Sequence, residues 1–132
     1  MSNLLDLHLD KVEDPIIVPG GEEYELRILD AKIAPSKSSD RDVVKVMCEV
    51  VDNPTAKPVF VNMALPLKDD DAKKTYTLSL QIKQFFQAFD INLKAPGEPE
   101  TWKGQTGWAF MKVDTMESGE EVNQVGRWIV KK

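Results

Sequence analysis

Between Thr75 and Phe89, the residues Leu78, Ile82, Phe85, Phe86 and Phe89 recur at intervals of three or four. That spacing lays an apolar stripe along one helix. The other periodic runs in the chain alternate in the manner of strands, three before the helix and two after it. One helix between the third and fourth of five strands is the element order of a five-stranded OB-fold barrel, an all-β architecture apart from that helix. The outer face of such barrels often grips single-stranded nucleic acid. Binding, not catalysis, is therefore the leading expectation.

The first strand is expected from about Glu22 to Ala34, with Tyr24, Leu26 and Ile28 on one face and Glu23, Glu25 and Arg27 on the other. Its phase breaks after Leu29, as a bulge would cause. A polar loop, Pro35 to Asp42, holds Lys37, Ser38, Ser39 and Arg41. The second strand, Val43 to Val51, places Val44, Val46, Cys48 and Val50 together, with Lys45 and Glu49 opposite. The third, near Pro58 to Leu65, alternates Val59, Val61, Met63 and Leu65 with Phe60, Asn62 and Ala64. Asp69, Asp70 and Asp71 precede the helix, where negative charge suits its amino end, and Thr75 and Thr77 are the candidate caps. The fourth strand falls within Gly104 to Asp114 and the fifth within Glu121 to Val130, with a turn at Ser118-Gly119.

Residues 1–21 read as an acidic amino-terminal arm ahead of one domain, 22–132. Leu5, Leu7 and Leu9 alternate with Asp6, His8 and Asp10, and then Pro15, Pro19 and Gly20-Gly21 interrupt any regular element. Asp6 and Asp10 among the leucines do not fit a signal peptide, and no apolar run approaches membrane-spanning length. A soluble intracellular protein is expected. The net charge of -5 argues against a nucleic-acid partner, but its distribution weakens the objection. Residues 1–25 hold seven acidic groups and one base, leaving 16 basic and 15 acidic groups in the remainder. A nearly neutral body can still carry a basic groove.

Cys48 is the single cysteine, which excludes an intrachain disulfide and points to a buried small hydrophobe. His8, the single histidine, lies in the arm, so the body has no histidine-centred triad. No phosphate-cradling glycine loop is present, and the Asp69–Asp71 run lacks the spacing of a calcium loop. No enzyme activity, cofactor or metal is expected.

Phe60 is the most informative candidate for contact. If Val59, Val61 and Met63 fill the core, its ring points outward beside Lys45, where it can stack a base while the cation meets phosphate. The alternative is packing beneath the arm or against another subunit. Trp108 and Phe110 share a face with Thr106 and Lys112, whereas Gly107, Ala109, Met111 and Val113 take the other. Alternation alone does not choose the inner one. Trp102 is assigned either to loop packing or to a ligand, Trp108 either to ligand contact or to the core, and Trp128 to capping the barrel. Lys32, Lys37, Arg41, Lys45 and Lys112 are the candidate phosphate contacts, set against the alternative of an ordinary soluble surface.

Several stretches taken in order resemble a small bacteriophage protein family. They are Val18-Pro-Gly-Gly-Glu-Glu-Tyr-Glu-Leu-Arg-Ile28, Ala31-Lys-Ile-Ala-Pro-Ser-Lys-Ser38, Val43-Val-Lys-Val-Met-Cys-Glu-Val50, Ala56-Lys-Pro-Val-Phe60, Leu65-Pro66 before the three aspartates, the Phe85-Phe86 to Phe89 segment, and Trp102-Lys-Gly-Gln-Thr-Gly-Trp108. Members of that family, often left without a function, resemble phage OB-fold single-stranded DNA-binding proteins. The resemblance implies protection of single strands during phage DNA replication or recombination, alongside recombination proteins, in the cytoplasm of the infected bacterial host. Phe60, Trp102 and Trp108 match its aromatic positions, and Lys32 and Lys37 its basic ones. Many single-strand binders end in an acidic tail, whereas this chain ends Val130-Lys131-Lys132 and concentrates its acids in the arm. The second reading is a structural or adaptor protein of a viral assembly that binds protein instead of DNA. A homodimer through strand edges or the arm fits either reading.

Overall fold

The computed structural model describes residues 15–36 and 40–130. In these, β1 (Glu23–Pro35), β2 (Asp42–Val50) and β3 (Val59–Ala64) precede α1 (Ala72–Ala88). A short 3-10 turn, Pro99–Trp102, then leads to β4 (Thr106–Thr115) and β5 (Glu121–Ile129). The five strands form one antiparallel sheet in the order β3-β2-β1-β4-β5.

The helix lies between the third and fourth strands, but the expected OB-fold barrel does not form. No ladder joins β3 to β5, and these are the two edges of an open sheet. Closure needs a matched run of backbone donors and acceptors on both edges. β3 offers six residues, and β5 is bulged at Gly126, between the Phe110–Arg127 and Met111–Val125 pairs. The edges approach each other across a cleft lined by side chains. A second bulge, at Leu29 in β1, restores the inward phase at Ala31 and turns Asp30 and Lys32 outward.

Val44, Val46, Cys48 and Val50 of β2 meet Val59, Val61 and Met63 of β3 on the inner face. Leu26, Ile28, Ala109 and Met111 extend that surface across β1 and β4. Phe85 of α1 and Phe89, the residue that ends the helix, cover it, each wholly buried; a side chain of that size contributes about 1.5–3 kcal/mol when removed from water. Burial pushes the Cys48 thiol up to about 12, so it stays protonated and behaves as a small hydrophobe.

Asp71, not Thr75 or Thr77, caps the helix: its Oδ1 accepts the Lys74 amide at 2.7 Å. Asp70 is engaged differently. The Arg41 guanidinium donates to both of its carboxylate oxygens at 2.9 Å and to the Leu65 carbonyl at 3.2 Å, while the Leu67 amide donates to Asp70 at 2.8 Å. This fork ties the start of β2 to the loop entering α1.

The ambiguity in β4 is resolved at Gly107. A Cβ there would lie 2.5 Å from the Ala88 carbonyl oxygen, so the carboxyl end of α1 rests directly on the β4 backbone. Gly107, Ala109 and Met111 therefore face inward, and Trp108, Phe110 and Lys112 outward.

Residues 1–14 of the expected arm lie outside the described residues. Residues 15–21 cross one end of the gap between the sheet edges. Ile16 donates to the Thr55 carbonyl at 2.8 Å and its own carbonyl accepts from Lys57 at 2.7 Å, on the approach to β3. Val18, buried in the core, donates to Asn123 Oδ1 of β5 at 2.7 Å and accepts from Asn123 Nδ2 at 2.8 Å. Lys57 also pairs with Glu120 at 2.7 Å, holding the Glu120 carboxyl below its usual range.

Replacing Gly107 by alanine should destabilise the protein by about 1–3 kcal/mol, the usual cost of overpacking, read as a lower urea midpoint with an unchanged slope. A second expectation concerns acid. Hydrogen bonding from Arg41, supported by the Leu67 amide, lowers the Asp70 carboxyl from 3.8 to about 2. The folded value lies below the unfolded one, so this stabilisation is complete above pH 4 and disappears as pH falls through about 2. Asp70→Asn should therefore melt below the parent at pH 7, with the gap narrowing toward pH 2.

Candidate nucleic-acid interface

Because β2 lies between β1 and β3, their registers align the outward side chains in rows. One row reads Lys32, Lys45, Asn62 and the next Asp30, Met47, Phe60. Phe60 is 61 % exposed, the most exposed large apolar residue of the sheet strands among those described. Lys32 stands directly opposite Lys45, and among the described residues neither has a carboxylate partner. Like charges in register destabilise a ladder, and an anion seated between them relieves that repulsion. Among the described residues Asp30 is the one carboxylate lining the depression between these rows, and Lys103 lies 3.8 Å from it.

Phe60 and Asn62 also form one wall of the cleft between β3 and β5, with Lys112, Gln124 and Arg127 on the opposite wall. The Arg127 guanidinium carbon lies 4.4 Å from the Phe110 ring centre, which holds the charge against the sheet surface. Lys112 is 3.7 Å from Asp114, and both are exposed, so that pair restrains Lys112 little. An exposed aromatic ring thus has two lysines on one side and a lysine and an arginine on the other. A base can stack on the ring while phosphates on either side meet cations.

Four of the eight candidate residues, Lys32, Lys45, Phe60 and Lys112, meet in this region. Of the other four, Arg41, Trp102 and Trp108 do not. Arg41 is committed to Asp70, with 14 % of its side chain exposed. Trp102 is a core residue: its ring packs edge-on against Phe86 at 5.2 Å, and its Nε1 donates to the Pro96 carbonyl at 2.8 Å. Trp108 is exposed elsewhere on the outer face, in register with Glu25 of β1 and Ile129 of β5. Lys37 lies outside the described residues. Trp128, expected to cap a barrel, instead packs edge-on against Phe85 and Phe89 at 5.4 Å and borders the cleft.

Sequence reasoning did not single out Asn62, Gln81, Gln84 or Gln124 as site residues, although all four line the cleft. The available signal was position: Gln124 faces outward on β5, and Gln81 and Gln84 lie one turn apart beside the apolar stripe of α1. A scan against models of known protein families finds no match, and a search of the curated proteins finds none.

Proposed function

We propose that this chain binds single-stranded DNA with little sequence preference and acts in phage DNA replication or recombination. The observation that carries the reading is the exposed Phe60 ring between Lys32 and Lys45 on one side and Lys112 and Arg127 on the other. Stacking on an aromatic platform tolerates any base, because every base has a π face, and flanking cations follow the backbone without reading it. A duplex keeps its bases stacked inside and cannot offer one to Phe60. The phage setting, with replication or recombination proteins as partners and the host cytoplasm as the place of action, draws on the sequence resemblance described above. The edges of β3 and β5, unpaired among the described residues, suit pairing with a second copy.

With a labelled oligothymidylate and anisotropy detection, Phe60→Ala should bind about 5- to 100-fold more weakly than the parent while melting at a similar temperature. Replacing Lys32 and Lys45 together by glutamine should flatten the plot of log affinity against log salt by about 0.7 for each phosphate no longer neutralised. Unchanged affinity in a folded Phe60→Ala protein would overturn the stacking site. Absence of DNA binding by the parent, combined with a stable complex with a viral protein, would favour the adaptor reading.

A further inference from the structure

The cleft between β3 and β5 has a volume of about 450 Å³, within the roughly 300–1,000 Å³ typical of pockets that enclose small ligands. Its lining is distinctive in kind. Beyond Phe60, it brings together four carboxamides from three elements: Asn62 of β3, Gln81 and Gln84 of α1, and Gln124 of β5. None has a hydrogen-bond partner among the described residues. Gln105, by contrast, donates to the Phe89 carbonyl at 3.2 Å, as a carboxamide with a structural role does.

We propose that this cleft is a base-edge pocket, in which a nucleobase stacked on Phe60 is hydrogen-bonded along its exposed edge by these carboxamides. The inference rests on the single-stranded DNA reading and adds to it a second contribution besides stacking and charge. A carboxamide carries a donor and an acceptor side by side, and a half-turn of its terminal bond exchanges them. Each base carries a complementary adjacent pair on its Watson–Crick edge, so the pocket accepts any of them. It excludes a base whose edge is already paired. Lys112 and Arg127, on the β5 side, meet the phosphate of the inserted nucleotide.

The test uses an oligothymidylate of about ten nucleotides, within the footprint of known single-strand binders. A second oligonucleotide has every thymine replaced by difluorotoluene, which keeps the ring shape and stacking but loses the hydrogen-bonding edge. The parent protein should bind the second about three- to tenfold more weakly. A Gln84→Leu, Gln124→Leu double variant should bind the two within about twofold of each other, with the parent's salt dependence. Both substitutions are at exposed positions, so the fold should persist, as a thermal melt will show. Equal affinity of the parent for both oligonucleotides would overturn the base-edge pocket and leave stacking intact. Discrimination that survives in the double variant, and again when Asn62→Leu and Gln81→Leu are added to it, would overturn its location in this cleft. If the parent binds neither oligonucleotide, the single-stranded DNA reading itself fails, and the pocket with it.

Discussion

A curled sheet that does not close needs something besides a strand ladder to hold its edges apart at a fixed distance. Here that is Asn123, the one buried polar residue among those described. Its carboxamide accepts from and donates to the backbone of Val18, which fastens residues 15–18 to β5, while Ile16 is bonded to the backbone leading into β3. A buried carboxamide with both functions satisfied adds directional bonds that a leucine cannot supply, and leaving its partners unsatisfied costs about 1–3 kcal/mol. The cleft exists because the edges are tethered at one end and, among the described residues, unpaired along the rest.

The two faces of the sheet divide the work. The inner face is closed by an aromatic cluster in which Phe85 meets Phe89 at 4.9 Å, Trp128 at 5.4 Å and Trp102 at 5.9 Å. Such tilted and edge-on contacts fix α1 against the sheet. That rigidity reaches the outer side, because Gln81 and Gln84 occupy the same helix as Phe85, and Trp128 both joins the cluster and borders the cleft. The cleft-lining groups stand on strands and a packed helix, where their geometry is held.

The parts legible in the sequence were those set by local periodicity. The α1 stripe, the inward valines of β2 and the outward Phe60 each follow from the spacing of neighbouring residues. So does the break at Leu29, where the alternation visibly slips. The rest depended on partners distant along the chain. Arg41 looks like a phosphate contact until Asp70, 29 positions later, takes its guanidinium. The inner face of β4 was undecided because the deciding contact, Ala88 on Gly107, is between a helix end and a strand. Trp102 is fixed by the Pro96 carbonyl, which accepts from its indole, a partner that local spacing does not reveal. Element order constrains which strands are neighbours but does not distinguish a closed barrel from an open sheet, since that depends on the length of β3 and the Gly126 bulge.

The opposed Lys32 and Lys45 have a consequence for how the molecule answers to its ionic surroundings. Their mutual repulsion is screened as salt rises, with a Debye length of about 10 Å at 0.1 M. The same ions compete with any polyanion drawn to that face. The bare fold and any polyanion bound there would therefore respond to ionic strength with opposite signs: dilute buffer penalises the bare face and would favour a loaded one, and concentrated buffer would reverse both.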